Sequence, residues 1–248
     1  MYKRQYPYLV DHRVGGACVV PVATALDWFI SAAAAWRPDR PDMLLRDLRV
    51  LDKITLHRLA DGGDRLIIRG YEDGLALDLD LGEGDGRPHF RVTAVATAPP
   101  PARRWTAPDA LEPHENPYDG TTLFHGPTLR AVRGVPAVGR DGAESAISSS
   151  RSLGWPAGAG PLDIAAVDGA LQLALLWARR AGAGDTLPMA VDEVRLYRNG
   201  AVDDQTRCVV QAVSADDSGA VCNAALLDAG GLARVELIGI RLVRRPGS

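Results

Sequence analysis

Lysine, paired cysteine and long apolar runs are all scarce in this chain. Only Lys3 and Lys53 carry an ammonium group, and 28 basic against 31 acidic residues leave a formal charge of −3. No basic surplus exists to hold nucleic acid or an anionic membrane. The three cysteines, Cys18, Cys208 and Cys222, form no Cys-x-x-Cys pair. That removes a disulfide framework and a structural zinc site, and makes a reducing cytoplasm the expected location. The opening MYKRQYPYLVDHRV lacks an apolar core of signal-peptide length. The longest apolar stretch, Val19 to Trp36, is broken by Thr24, Asp27 and Ser31. A membrane span needs about 20 nearly unbroken apolar residues, so this stretch reads as a buried helix. Walker, GxGxxG and GxSxG motifs are missing as well, which removes nucleotide-binding and α/β-hydrolase readings. What is present is ordinary globular composition. The 248 residues, 46% apolar and 24% charged, suffice for one large domain or two small ones.

A single segment divides the chain. Prolines at 99, 100, 101, 108, 113 and 117 punctuate TAPPPARRWTAPDALEPHENP. Proline removes backbone donors and fixes φ, so the run reads as a semi-rigid linker that continues neither helix nor sheet. The expected organisation is an N-terminal half over 1–98, a linker over 99–117 and a C-terminal half over 118–248. Each half follows one plan. Pro21 to Trp36 predicts a helix, followed by strand-like runs over 45–59, 65–72, 75–82 and 89–98. Leu162 to Ala181 predicts another, with Asp163 as N-cap, Arg179 and Arg180 in the last turn and Gly182 beyond it. Strand-like runs over 190–198, 206–215, 220–229 and 233–243 follow. Both helices are apolar nearly all round, so each is expected to be buried on most sides. A buried helix wrapped by antiparallel strands, twice over, predicts an α+β fold with internal duplication. Two unrelated α+β domains remain the alternative.

Three polar features break the apolar pattern. Asp168 sits mid-helix among Ile, Val, Leu, Ala and Trp, with Gln172 one turn on. A buried unpaired carboxylate costs several kcal/mol or stays protonated with a raised pKa. The bland reading is a satisfied polar pair. His12 precedes the first helix, with Gly15 and Gly16 permitting unusual backbone shapes and close approaches. The helix start near Pro21 and Val22 has free amides suited to an oxygen bearing negative charge. A base beside such a terminus suits removal of a proton next to a carbonyl, although a lone loop histidine is usually structural. The third feature is His125-Gly126-Pro127, a rigid turn directly after the linker.

Taken in order, these elements resemble the dehydratase domains of modular polyketide synthases and related fatty acid synthases. The family's HxxxGxxxxP is matched by His12, Gly16 and Pro21, and its Asp-xxx-Gln helix motif by Asp168 and Gln172. Its aromatic–x–x–Gly-Pro element is matched in part by Phe124-His125-Gly126-Pro127-Thr128-Leu129, and Leu187-Pro188 opens the next strand. The DHR-xGG-xxVxP start and LFHGP look most like dehydratases of polyunsaturated fatty acid and enediyne-type synthases. The resemblance spans nearly the whole chain. It implies a double hot-dog fold with one site between the halves, where His12 and Asp168 act as base and acid. It further implies a 3-hydroxyacyl thioester substrate on the phosphopantetheine of an acyl carrier protein, no metal and no diffusible cofactor. Neighbouring synthase domains are the expected partners, and since many relatives are homodimers the resemblance implies a homodimer here as well.

Departures from the family pattern concern substrate shape. Val22 stands where glycine is common, His125 where tyrosine is common, and Leu129 where phenylalanine is common. Asp163-Ile164 replaces a His-Pro pair. Only eleven residues precede His12, which suggests an excised piece or a variant without the first strand. An apolar tunnel is expected between the halves, walled by Val22, Leu129 and Met189. Two other readings stand beside the dehydratase. One is a product-template-like cyclase sharing the fold and a His/Asp pair, against which the Asp168–Gln172 spacing argues. The other is a non-catalytic scaffold, which would have no reason to bury a carboxylate.

Overall fold

The computed structural model describes residues 6–40, 43–59, 61, 63–84, 86–156 and 160–245. A 3-10 turn at Pro7–Asp11 leads into a small hairpin, β1 (Arg13–Val14) and β2 (Ala17–Cys18), and then α1 (Val22–Trp36). Four strands follow: β3 (Leu44–Val50), β4 (Leu66–Asp73), β5 (Ala76–Glu83) and β6 (Phe90–Val95). Next come β7 (Glu112–Pro113), a 3-10 turn at Pro127–Leu129, β8 (Val132–Val138), β9 (Gly142–Ile147) and α2 (Ile164–Arg180). Four more strands close the chain: β10 (Thr186–Leu196), β11 (Arg207–Asp216), β12 (Gly219–Leu227) and β13 (Ala233–Arg244).

Eleven strands form one sheet in the order β4-β5-β6-β3-β10-β13-β12-β11-β9-β8-β7, with the β1–β2 hairpin apart. After α1 the strands lie β3-β6-β5-β4, and after α2 they lie β10-β13-β12-β11, which is the same order. The first strand after each helix pairs antiparallel with the other, Val191 opposite Leu48 and Val194 opposite Leu45. Two like halves, each a helix against an antiparallel sheet, therefore meet edge to edge at β3 and β10. This is the double hot-dog arrangement.

α2 fits its expected character. Asp163 caps its first turn by accepting from the Ala166 amide at 3.2 Å, and Gly182 follows its end at a φ of 99°. Ala165 through Ala178 are all buried, because β8, β9, β10, β11 and β12 all curl against the helix. α1 departs from it. Val22 through Asp27 and Phe29 are buried, but Ser31, Ala34, Ala35 and Trp36 are exposed. The hairpin β1–β2 stays out of the large sheet, so α1 lacks the counterparts of β8 and β9 that cover the far side of α2.

Three further differences from the sequence pattern have local causes. The strand expected over 45–59 stops at Val50. Beyond it the chain turns to serve the entry of α1, where Ile54 O accepts from the Val20 amide and Leu56 N donates to Cys18 O. β8 and β9 gave no clear pattern, since VRGVPAV and GAESAI are short and carry Gly or Pro. The proline-rich run does enter the sheet: Glu112 and Pro113 form its outer edge against β8, where a missing backbone donor is tolerated. Upstream, the buried Trp105 packs with Val209, Ala225, Leu227 and Ala233 in a second small core. Residues alternate along β11, so Cys208 and Val210 face the main core while Val209 faces Trp105.

Asp163 also ties α2 to its surroundings, because besides its cap bond it accepts from Ser150 N (2.9 Å), Ser150 Oγ (2.7 Å) and Val202 N (3.0 Å). Replacing it by Ala removes a cap and leaves buried donors unpaired, so Asp163→Ala is expected to lower stability by about 2 kcal/mol or more. Urea denaturation measures this; an unchanged midpoint would overturn the assignment.

Candidate active site

His12 is held by the hairpin that follows it. The turn between β1 and β2 has φ values of 61° at Gly15 and 83° at Gly16, a left-handed pair that only glycine adopts freely. A Cβ on either would meet nothing within 4 Å, so these glycines serve the turn and not a close approach. The hairpin brings Val19 back to His12, whose Nδ1 donates to the Val19 carbonyl at 3.0 Å. That bond places the proton on Nδ1 and leaves Nε2 with a lone pair.

Asp168 lies in the second turn of α2, buried to 3% exposure. Gln172 Nε2 donates to Asp168 Oδ2 and to Leu129 O, each at 2.7 Å. The opposite end of the amide is fixed too. Tyr118 Oη accepts from the Val132 amide at 2.8 Å, which leaves its own proton for Gln172 Oε1 at 2.7 Å. Both amide protons and the carbonyl oxygen of Gln172 are thereby engaged, and with Gln172 donating to Oδ2 the proton of a neutral Asp168 belongs on Oδ1. The sequence offered only a weak signal for Tyr118, an aromatic residue closing the proline-rich run.

His125 completes the group. Its ring stacks on Phe124 with centroids 4.4 Å apart and lies 5.4 Å from the His12 ring. His125 Nε2 stands 3.4 Å from Asp168 Oδ2, while its buried Nδ1 has no partner among the described residues. One ring nitrogen from each histidine and one oxygen of Asp168 lie within 4.8 Å of one another. This donor set is compact enough for a cation, although no ligand-spacing motif in the sequence indicates one.

Burial governs how these groups titrate. It pushes His12 down to about 4 against the opposing pull of the Val19 bond, and pushes Asp168 up to about 7 against the Gln172 bond. His125 is held well below the ordinary imidazole value, first by burial, then by His12 and Arg245. With His125 held neutral, its 3.4 Å approach to Asp168 is a contact without the charges of an ion pair.

These residues line a cavity of about 540 Å³. Val22 and Met189 stand in its wall, with Leu171, Leu175 and Leu187 adding apolar surface and Lys53, Arg244 and Arg245 also bordering it. Leu129 does not. It is fully buried in the main core, and it reaches the site only through the carbonyl that Gln172 holds. Pro21 is the N-cap residue of α1, whose start has no side-chain cap for its first amides, and Val22, its first residue, lines the cavity. Gly126 and Pro127 shape the 3-10 turn that follows His125.

A family model described as "Polyketide synthase dehydratase N-terminal domain" matches residues 96–247, more than half of the chain. The chain belongs to this dehydratase family. The matched stretch includes His125, Asp168 and Gln172 and leaves His12 outside it. No curated protein matches the chain. Among solved structures, a dehydratase domain of a trans-AT polyketide synthase from Brevibacillus brevis is 17% identical with a TM-score of 0.79, over 98% of this chain and 92% of that one. The dehydratase domain from the CurH module of curacin polyketide synthase is also 17% identical, with a TM-score of 0.76 over 99% and 90%. The dehydratase domain of a mycocerosic acid synthase-like synthase gives 17% and 0.76 over 100% and 90%. At such identities the likeness concerns the fold. Among the described residues, no helix is long and apolar enough to cross a membrane.

A buried neutral Asp168 has a measurable effect on stability. The unfolded carboxyl ionises near 3.8 and the folded one near 7, so the contribution of Asp168 to stability is full below about pH 4 and is lost as pH rises toward 7. The slope is about 1.4 kcal/mol per pH unit. His12 acts in the opposite direction, losing stability as pH falls from 6.5 toward 4, and this cancels when Asp168→Asn is compared with the parent. The variant is expected to gain a few kcal/mol relative to the parent between pH 4 and pH 8. A difference that stays flat with pH would show Asp168 to be ionised.

Proposed function

We propose that the chain eliminates water from a 3-hydroxyacyl thioester, giving the 2-enoyl thioester. The observation that carries this reading is the pairing of a neutral imidazole and a raised carboxyl group, within 4.8 Å of each other, on one apolar cavity. Dehydration needs such a pair, a base for the α-proton and an acid for the departing hydroxyl. His12 Nε2 takes the proton from Cα, and the uncapped start of α1 at Val22 polarises the thioester carbonyl. Asp168 gives its proton to the β-hydroxyl as the C–O bond breaks. Imidazolium, carboxylate, water and the enoyl thioester result, and passage of the proton from His12 back to Asp168 restores the starting state. Gln172 keeps the carboxyl turned toward the substrate. Beside the C–O bond that breaks and the C=C bond that forms, this cycle only moves protons and uses no diffusible cofactor.

The substrate is an acyl chain on the phosphopantetheine arm of an acyl carrier protein, in a synthase of the polyketide or polyunsaturated fatty acid type. The mainly apolar cavity wall favours an acyl chain. An open cavity bordered by the acid–base pair also argues against a scaffold, which would gain nothing from it.

Elimination is measured with a 3-hydroxyacyl thioester. His12→Ala and Asp168→Asn are each expected to lower turnover by about 10²–10⁴-fold, and the double variant to be little worse than either single one. Activity in kcat/KM is expected between about pH 4, where His12 becomes protonated, and about pH 7, where Asp168 ionises. Undetectable elimination by the folded parent, or full turnover in Asp168→Asn, would overturn the proposal.

A further inference from the structure

The two groups of the proposed acid–base pair come from different halves, and something must hold them at a working distance. Contacts around the turn at Pro127–Leu129 form the connection. On one side, Gln172 Nε2 donates to both Leu129 O and Asp168 Oδ2 at 2.7 Å, which fixes the turn to the acid. On the other side stands Asp11, the residue directly before His12. Its Oδ2 accepts from Thr128 N at 2.8 Å and Thr128 Oγ1 at 2.7 Å, and its backbone carbonyl accepts from Gly126 N at 2.9 Å.

The fit at Gly126 shows how close this contact is. A Cβ there would lie 2.5 Å from Asp11 Cγ and 2.6 Å from Oδ1, so the carboxylate rests against the glycine backbone. A second strut runs nearby, where Trp155 Nε1 donates to Thr128 O at 2.7 Å and the Trp155 ring stacks on Tyr8 at 3.5 Å. Tyr8 belongs to the 3-10 turn that ends in Asp11. The route from base to acid is therefore His12, Asp11, the turn, Gln172 and Asp168, through short hydrogen bonds at every step outside the chain itself.

We propose that Asp11 is a positioning residue, whose grip on Thr128 and Gly126 holds His12 at its distance from His125 and Asp168. It does not reach the cavity and acts through its neighbour. Misplacement of a reacting group by about 1 Å can lower turnover by about 10²-fold, and loss of the carboxylate's two bonds to Thr128 loosens the loop that carries the base. The catalytic part of this inference rests on the dehydratase reading; the geometric part does not.

The experiment compares the parent with Asp11→Ala, Asp11→Asn and Thr128→Val, each checked for folding by circular dichroism. With a 3-hydroxyacyl thioester, Asp11→Ala is expected to lower kcat by about 10²-fold with KM changed less than about threefold. Asp11→Asn keeps an acceptor oxygen for Thr128 and is expected to recover most of that loss. Asp11→Ala combined with Thr128→Val should be no worse than Asp11→Ala alone, because the hydroxyl bond that Thr128→Val removes is already lost with the Asp11 carboxylate. An activity-independent reading comes from the ring protons of His12, whose shifts sense the Phe124 and His125 rings, each 5.4 Å away. Asp11→Ala is expected to move these resonances and Asp11→Asn to leave them near the parent's. Parent-like kcat in Asp11→Ala, a loss confined to KM, or equal loss in Asn and Ala would overturn the proposal. If the parent eliminates no water, the functional reading fails, and unmoved His12 resonances in Asp11→Ala would then overturn the clamp separately.

Discussion

A carboxyl group inside an apolar helix is tolerated only when it is neutral or well partnered, and Asp168 meets both conditions. Burial raises it to about 7, while Gln172 satisfies one oxygen. Much of the surrounding structure follows from keeping that arrangement intact. Gln172 must be oriented, so Tyr118 holds its carbonyl end. Tyr118 must be oriented in turn, and the Val132 amide does this at the start of β8. Leu129 O takes the second amide proton, which docks the turn carrying His125 on α2. One desolvated carboxyl thus organises a helix, a turn, a strand and the end of the proline-rich run.

The same desolvation gives the site its chemistry. An imidazole and a carboxyl in water would be partly protonated and almost wholly ionised near neutral pH, the reverse of what removal of an α-proton and protonation of a hydroxyl require. The cavity displaces both in the useful direction, His12 down and Asp168 up. His125 stays neutral in the same surroundings, so no permanent positive charge beside Asp168 draws it back to the carboxylate form. Acid and base differ here through surroundings more than through intrinsic strength.

Internal symmetry explains where the pair can meet. The two halves share a strand order about the β3–β10 contact, and α1 and α2 touch each other. α1 carries a buried carboxyl of its own, Asp27, likewise raised by burial. It is used differently: Oδ1 accepts from the Leu162 amide at 3.0 Å just before α2, and it sits so close to Gly160 that a Cβ there would collide with it. One helix's carboxyl helps join the halves, and the other faces the cavity.

Periodicity and punctuation made both helices, the strands after them and the Asp163 cap legible in the sequence. These depend on neighbours close along the chain: an apolar face, a capping side chain, a glycine after the last turn. The anomaly of Asp168 was legible for the same reason, since a carboxyl in an apolar helix is visible without coordinates. Other features depended on distant partners. Nothing local distinguished Leu129, in the core, from Val22 and Met189, in the cavity wall. The exposed end of α1 follows from strands that do not cover it, and the seating of Trp105 follows from the far face of β11 and β12. Tyr118 and Asp11 gain their roles from residues up to 117 positions away. The sequence determined which segments would fold and which polar groups would be out of place among apolar ones. Only tertiary structure decided which of those groups face one another, because hydrogen bonding and desolvation act over a few ångströms of space regardless of separation along the chain.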